Sequence, residues 1–165
     1  RIEDTLNQKS IVRAMPNSPA ELGMGMTAFT AHSTLPIEQV RKVEGLLATT
    51  GKTVFLENEN LLDAVTALSG SGPAYFFYIV KHMIEAGKKM GFDEVASAML
   101  VKQTMLGAFH LVNNANKSLD DLIKAVASKG GTTEAALNTF EKNKIGQGLQ
   151  EGIVSARDRA TELSK

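Results

Sequence analysis

Two long stretches of this sequence, 74–86 and 95–112, are apolar on nearly every side when they are wound as helices. A helix of that kind has no polar face to turn toward water, so it must be covered all round. The helical part of the chain is too short to cover both of them by itself. We therefore predict an interleaved dimer, in which a second copy of the chain covers the faces that one copy leaves open.

The last predicted helix carries a second sign of close packing. Gly148, Gly152 and Ala156 follow one another at four-residue spacing, so they form a stripe of small residues along one side. Such a stripe lets another helix approach closely. That helix belongs either to the partner or to the same chain, and the sequence favours neither interpretation.

Composition excludes several classes of function. The 18 basic and 18 acidic side chains give a net charge of +0, which offers no field to attract nucleic acid or an anionic membrane. There is no cysteine, which excludes disulfides and thiolate sites, and the isolated histidines support no metal site. The longest unbroken apolar run, 74–80, is too short to span a membrane, and no signal peptide is visible. We expect a cytoplasmic protein.

The order of the predicted elements divides the chain into two domains, 1–57 and 58–165. The first is mixed α/β, with one helix among short strands at 11–14, 24–31 and 52–56. Thr34 is the expected N-cap of that helix and Gly51 its expected end. The strands are too few to bury a sheet, so they are interpreted as the closing units of a larger one. The second domain is helical throughout.

The helical part has several start signals. Asp93 is the expected N-cap of a helix that runs to about residue 113, and residues 118–121 fit a capping box. The glycine pair 130–131 then interrupts the pattern, and Thr132 or Thr133 is expected to cap the helix that follows.

Two glycine-containing motifs resemble phosphate loops but lack the necessary context. Residues 23–28 (GMGMTA) match G-x-G-x-x-A. A dinucleotide loop has to follow a strand and open a helix, whereas here a proline-broken loop precedes the motif and a β-like stretch follows it. Residues 51–53 (GKT) resemble the end of a P-loop, but the earlier glycine is one residue out of register. Neither motif is expected to hold phosphate.

Three separated motifs carry a more specific signal. They are VRAMPNSP at 12–19, DAVTALSGSGPAY at 63–75 and SKGGTT at 128–133. Their order and spacing resemble those of the pyrroline-5-carboxylate reductases, whose pattern reads V-R-x-M-P-N-T-P, D-A-x-T-A-L-S-G-S-G-P-A-Y and S-P-G-G-T-T. The resemblance covers essentially the whole chain.

The resemblance implies a fold and a reaction. Residues 1–57 resemble the tail of a Rossmann-type NAD(P)-binding domain, and 58–165 resemble a helical dimerisation and substrate-binding domain of the 6-phosphogluconate-dehydrogenase C-terminal type. The implied activity is that of an oxidoreductase of proline biosynthesis, which reduces 1-pyrroline-5-carboxylate to L-proline with NADPH or NADH. The main phosphate-binding loop is expected upstream of Arg1, so the 165-residue chain alone is expected to be inactive. A homodimer, or a larger assembly of dimers, is also implied.

Residues 128–133 are the implied substrate site. Glycine lets the backbone come close to a ligand, and the free amides that open a helix favour an anion such as a carboxylate. By the resemblance, Ser128, Gly130, Gly131, Thr132 and Thr133 bind the substrate, and the Thr133 hydroxyl meets the ring nitrogen as the catalytic contact. For this motif taken alone, the plain alternative is an ordinary helix cap with a glycine hinge.

The implied cofactor contacts lie near the start of the chain. Met15, Pro16, Asn17 and Ser18 follow a strand end, the usual place for ligands in an open α/β sheet, and by the resemblance they lie beside the nicotinamide and the substrate. A turn fixed by two prolines is the alternative. One departure from the family pattern concerns the substrate loop, where Lys129 replaces the usual proline, which loosens the loop and adds a positive charge.

Two other functions are compatible with the sequence by itself. One is a related helical-domain dehydrogenase that acts on another small acid. The other is a dimerisation module without catalysis.

Overall fold

The computed structural model of the chain describes Thr5 and residues 10–164. Three strands form one sheet in the order β1 (Val12–Met15), β2 (Gly25–Ala31) and β3 (Gly51–Phe55). β1 is antiparallel to β2, with Met15 opposite Ala28, whereas β2 is parallel to β3, with Gly25 opposite Gly51. The three predicted strands are confirmed, each displaced by no more than about one residue, which is within the usual spread of such assignments.

The middle strand holds the core of the sheet. Thr27, Ala28, Phe29 and Thr30 are all buried, since β2 is paired on both edges and covered on both faces. The Phe29 ring meets Phe55 edge to face, with the ring centroids 5.4 Å apart, a favoured geometry for an aromatic pair. β2 and β3 are therefore tied by side-chain packing as well as by the backbone ladder.

Helices make up most of the rest of the described chain. They are α1 (Ile37–Leu47), α2 (Leu61–Val65), α3 (Gly72–Lys89), α4 (Glu94–Asn114), α5 (Leu119–Val126), α6 (Thr132–Lys142) and α7 (Ile145–Leu163). Short 3-10 turns lie at Ser18–Leu22 and Ala48–Thr50, and a π-helical turn lies at Thr66–Gly70. Three strands and one helix followed by an all-helical remainder confirm the predicted fold class.

Two predicted helix starts are confirmed. The Asp93 side chain accepts a hydrogen bond from the Ala96 amide at 2.7 Å and caps α4. The Ser118 hydroxyl accepts from the Asp121 amide at 3.1 Å, which caps α5, and it donates to the Asp121 carboxylate at 2.7 Å. Both caps satisfy amides that have no partner within the helix.

Three predicted helix boundaries are wrong. Thr34 does not cap α1, because Pro36 has an extended ψ of 139° and itself precedes the helix; the Thr34 hydroxyl instead lies 2.8 Å from Nδ1 of His32. Gly51 does not end α1, which stops at Leu47, and instead begins β3. The N-cap of α6 is Gly131, without a side-chain cap. Thr132 and Thr133 therefore lie inside the first helical turn.

The chain forms two compact units. The first comprises the residues up to 75 together with those from 151 onward. Within it, Asp63 of α2 accepts hydrogen bonds from the Thr161 hydroxyl at 3.1 Å and from the Ser164 hydroxyl at 3.4 Å. These bonds tie the end of α7 to the mixed α/β part. The predicted domain boundary between residues 57 and 58 stays a prediction.

The second unit comprises residues 76–150. The end of α3 and the start of α4 touch at Gly87 and Ser97, both buried, where a Cβ on the glycine would lie only 2.7 Å from the serine Oγ. An ion pair between Lys88 and Glu94, at 2.9 Å, joins the same helices on the surface. The small residues thus permit a close crossing at the hairpin of α3 and α4.

The apolar helices α3 and α4 leave most of their side chains exposed in the single chain. On α4, Met99 is 66 % exposed, Leu106 50 % and Phe109 59 %. Among the described residues, α4 is also the one helix long and apolar enough, by length and composition, to cross a membrane. The sequence prediction considered only unbroken apolar runs and missed it, because single polar residues interrupt the run. A soluble chain with such faces needs a partner to cover them.

Candidate functional site

The predicted substrate loop connects α5 to α6 through a tight turn. The Gly131 amide donates to the Ser128 carbonyl at 3.0 Å, and Gly130, the third residue of the turn, has a φ of +73°. Lys129, the second residue, is not among the described residues with positive φ. This combination defines a type II turn, in which the third position favours glycine and the second favours proline. The backbone therefore favours glycine at position 130, whereas Gly131, with a φ of −86°, has a conformation open to any residue.

Close contacts with Ser128 favour glycine at position 131. A Cβ at this position would lie 2.5 Å from the Ser128 hydroxyl oxygen and 3.0 Å from the Ser128 carbonyl oxygen. Ser128 therefore packs directly against the backbone that begins α6. The loop is a closed turn, and its serine side chain stands beside the first amides of the helix.

The first turn of α6 presents backbone donors and hydroxyls. The first helical backbone bond in this region runs from the Ala135 amide to the Gly131 carbonyl, at 3.2 Å. The amides of Thr132 and Thr133 precede that point, so they have no acceptor within the helix. Thr132 is exposed and Thr133 is half-buried. This set of donors is suited to hold one carboxylate, which the positive end of the helix favours.

Replacement of Lys129 by proline is expected to stabilise the chain. The second position of a type II turn has the φ that proline fixes, and no hydrogen bond donated by the Lys129 amide occurs among the described residues. Proline lowers the conformational entropy of the unfolded chain, and the folded turn loses no hydrogen bond. Lys129→Pro should therefore raise the free energy of unfolding by about 0.4–1 kcal/mol.

The matched control is Lys129→Ala, which removes the same charge without fixing the backbone. Denaturant unfolding at one protein concentration measures both variants. A proline variant less stable than the alanine variant would show that the turn is not of type II.

The predicted cofactor residues follow β1 and open the first 3-10 turn. Pro16 and Ser18 are exposed, and Met15 and Asn17 are half-buried. The terminal methyl group of Met15 occupies the space that a Cβ on Gly70 would need. The first two family-like motifs are thus in contact, and Gly70 permits that contact.

Asn17 uses its side chain to hold this loop in place. Its carbonyl oxygen accepts from the Met26 amide at 2.9 Å, and its amide nitrogen lies 3.3 Å from both the carbonyl and the hydroxyl oxygen of Ser69. Donor and acceptor are therefore both engaged within the chain. A cofactor would meet this loop through its neighbours Met15, Pro16 and Ser18 rather than through the Asn17 amide.

The direction of β1 differs from the one expected for a ligand-binding loop at the carboxyl edge of a parallel sheet. β1 runs opposite to β2 and β3, so its carboxyl end, at Met15, lies at the amino ends of the other two strands. The described strands alone therefore do not form the crevice at the carboxyl edge on which the sequence argument relied. The cofactor role of residues 15–18 stays a prediction that depends on the family pattern.

The two motifs that resemble phosphate loops have other structures. Gly23 ends a 3-10 turn with a φ of 69°, and Gly25 begins β2, so no helix N-terminus follows the glycines. Residues 51–53 lie in β3. The β-like stretch predicted within 23–28 is confirmed as the start of β2, and the strand predicted from residue 52 is confirmed as β3, although Gly51 begins that strand instead of ending a helix. Neither motif opens a helix, so neither forms the phosphate cradle of a dinucleotide loop.

Two contacts in these loops were not predicted. Ser69 lies 52 residues from Asn17 in the sequence, in a π-helical turn that no local pattern announces. Glu134 accepts a hydrogen bond from the Gly130 amide at 2.7 Å. Its position three residues after the helix cap is that of the acidic residue in a capping box, so this contact had a readable signal.

Comparison with known proteins identifies the relatives of the chain. The family model described as pyrroline-5-carboxylate reductase dimerisation matches residues 59–163. A pyrroline-5-carboxylate reductase of Haemophilus influenzae is 40 % identical over 94 % of this chain, which spans 58 % of the relative. A pyrroline-5-carboxylate reductase of Pseudomonas aeruginosa is 36 % identical over 95 % of this chain, and this chain covers 58 % of that relative as well. The chain thus matches somewhat over half the length of these relatives.

Solved structures agree with the sequence comparison. A pyrroline-5-carboxylate reductase from Coxiella burnetii superimposes with a TM-score of 0.92 at 34 % identity, over 99 % of this chain and 61 % of that one. A Plasmodium falciparum pyrroline carboxylate reductase with NADP bound also gives 0.92, at 26 % identity, over 99 % of this chain and 66 % of that one. The similarity therefore extends through both the strands and the helices.

Proposed function

This chain belongs to the pyrroline-5-carboxylate reductase family, and on that premise we propose that it is the substrate-binding and dimer-forming part of a proline-forming reductase. The reaction is reduction of 1-pyrroline-5-carboxylate to L-proline with NADPH or NADH. The observation that carries the proposal is the closed turn at 128–131, which leads directly into the free amides and hydroxyls of α6.

The substrate loop acts by binding and orientation. The amides of Thr132 and Thr133, with the Ser128 hydroxyl, hold the substrate carboxylate at the positive end of α6. Gly130 and Gly131 contribute by letting the backbone come close to the ligand. The Thr133 hydroxyl accepts a hydrogen bond from the protonated ring nitrogen. Thr133 is half-buried, so the residue is partly enclosed by the chain and partly open to a ligand. No strong base is needed, since the protonated imine is already electrophilic.

The cofactor is held in part by this chain. Met15, Pro16 and Ser18 contact the nicotinamide end, and Asn17 positions them through Met26 and Ser69. Bound NADPH or NADH would supply the hydride for the C=N carbon. Residues 23–28 are a turn and a strand and form no cradle for the phosphates, so we infer that the cradle belongs to a part of the protein other than the described residues. The chain by itself is therefore expected to show no reductase turnover.

The assembly is a homodimer, with larger assemblies of dimers compatible with it. The exposed apolar side chains of α3 and α4 lie within the region that matches the dimerisation family model. A second copy would bury them, and such burial is the main favourable term in association. Neither nucleic acid nor a membrane is a partner in this proposal, and the location is the cytoplasm.

Binding of L-proline, the product, to the 165-residue chain tests the substrate loop without a cofactor. Thr133→Ala is expected to weaken binding by about tenfold, since it removes a hydrogen bond to a charged nitrogen. Thr139→Ala is the matched control, because Thr139 lies on α6 and its exposed hydroxyl donates only to the Ala135 carbonyl, at 3.0 Å.

Calorimetry measures both affinities. A dimer that binds no L-proline would favour the non-catalytic dimerisation module over the reductase. Equal affinity of Thr133→Ala and wild type would remove Thr133 from the site.

A further inference from the structure

The proposed substrate loop contains an ion–dipole contact that the reaction does not use. Oε2 of Glu134 accepts a hydrogen bond from the Gly130 amide at 2.7 Å. Glu134 is the third residue of α6 and is half-buried. Gly130 is the residue whose φ of +73° closes the turn. The Glu134 side chain thus binds the backbone of Gly130, the loop residue with a left-handed conformation.

We propose that Glu134 is a positioning residue, which holds the loop 128–133 in the conformation that binds the substrate carboxylate. The inference rests on the proposed function of this loop. Two bonds fix the turn from its two sides: the Gly131 amide to the Ser128 carbonyl, at 3.0 Å, and the Gly130 amide to Glu134. With both formed, the loop is ordered before the ligand arrives, which lowers the entropy lost on binding.

The same contact divides the roles of the loop residues. The Gly130 amide is already paired with a carboxylate of the chain, so it does not donate to the ligand. Gly130 serves by its conformation instead. The Gly131 amide is likewise engaged by the Ser128 carbonyl, so the donors left for the substrate are the amides of Thr132 and Thr133, which precede the first helical bond at Ala135.

The charge of Glu134 acts in the opposite direction. A carboxylate near the proposed anion site repels the carboxylate of the substrate. The loop lies at the surface, with Ser128, Lys129 and Gly130 all exposed, so water and salt screen this repulsion. The ordering of the turn is not screened in this way. We therefore expect the ordering effect to exceed the repulsion.

Three variants of the chain separate these effects. Glu134→Ala removes the acceptor and the charge, whereas Glu134→Gln removes the charge and keeps an acceptor oxygen. Glu141→Ala is the matched control, an exposed glutamate of α6 whose side chain makes no hydrogen bond with the described residues. The measurements are the amide resonance and hydrogen exchange of Gly130 by nuclear magnetic resonance, and the affinity for L-proline by calorimetry.

Glu134→Ala should move the Gly130 resonance, speed its exchange about tenfold and weaken L-proline binding about three- to tenfold. Glu134→Gln should retain most of both properties, and Glu141→Ala should match wild type. An alanine variant that binds L-proline as tightly as wild type, or more tightly, overturns the inference, as does an unchanged Gly130 amide. If wild type itself binds no L-proline, the proposed function fails and the positioning role fails with it.

Discussion

Gly51→Ala should destabilise the chain by roughly 3–5 kcal/mol. This is the cost of a backbone conformation that alanine rarely adopts plus the cost of a steric clash. Gly51 has a φ of 147° and a ψ of −145°, at the start of β3. A Cβ there would overlap the carbonyl oxygen and the amide nitrogen of Gly25, the residue opposite in β2. Both atoms belong to the backbone, so relief requires the two strands to move apart.

The matched control for this prediction is Gly45→Ala. Gly45 lies inside α1, and an added Cβ would meet nothing within 4 Å. Alanine there should stabilise the helix by about 0.5–1 kcal/mol. Denaturant unfolding at a fixed protein concentration compares the two, because stability of an oligomer depends on concentration. Similar midpoints for both variants would contradict the strand geometry described above.

Two glutamates on α4 should dissociate the proposed dimer. Met99 and Leu106 are seven residues apart, on one side of the helix, and are 66 % and 50 % exposed in the single chain. The change Met99→Glu with Leu106→Glu would place two carboxylates where the partner covers the helix. Burial of an unpaired carboxylate is costly enough to raise the dissociation constant by well over about a hundredfold.

Gln39→Glu controls for the charge, because Gln39 is an exposed polar residue of α1, outside the proposed interface, whereas Gln103 shares the face of Met99 and Leu106. Sedimentation velocity measures the assembly, and circular dichroism follows the helix content. Wild type and the Gln39 variant should sediment as dimers of the 17.7 kDa chain. The double variant should sediment as a monomer or lose its fold. A double variant that remains a stable dimer would show that this side of α4 is not in the interface.

Local signals predicted part of the fold well. The caps at Asp93 and Ser118 were readable because a capping side chain lies only three residues from the amide that it satisfies. Thr34 and the threonines 132–133 were wrongly predicted as N-caps of α1 and α6 for a related reason. A cap depends on where the backbone turns helical, and Pro36 and Gly131 set that point.

The long-range arrangement was not readable in the same way. Asn17 finds its partner Ser69 at a distance of 52 residues in the sequence, across a turn with π-helical geometry. The antiparallel direction of β1 depends on how its connection to β2 folds back through the 3-10 turn at Ser18–Leu22. No periodicity of the sequence encodes either feature. For the substrate loop, by contrast, the glycine pair indicated a break between two helices. Glu134 stands at the capping-box position, from which its unpredicted contact with Gly130 could have been read.

The exposed apolar helices agree with the dimer that the helical pattern of the sequence predicted. Large side chains of α3 and α4 that lie in water in the single chain favour a further surface that covers them. Whether those helices are covered by a partner or by a membrane cannot be told from hydropathy, since α4 meets both criteria. The match of residues 59–163 to a dimerisation family supports the partner.

Residues 128–133 are proposed to bind the substrate of a proline-forming reductase. The most direct measurement is NADPH oxidation with 1-pyrroline-5-carboxylate by these 165 residues, joined ahead of Arg1 to a dinucleotide-binding domain from another family member. We predict turnover with L-proline as product, a loss of about 10²-fold with Thr133→Ala and no change with Thr139→Ala. Absence of L-proline from a dimer that still binds NADPH, or full activity of the Thr133 variant, would contradict the account.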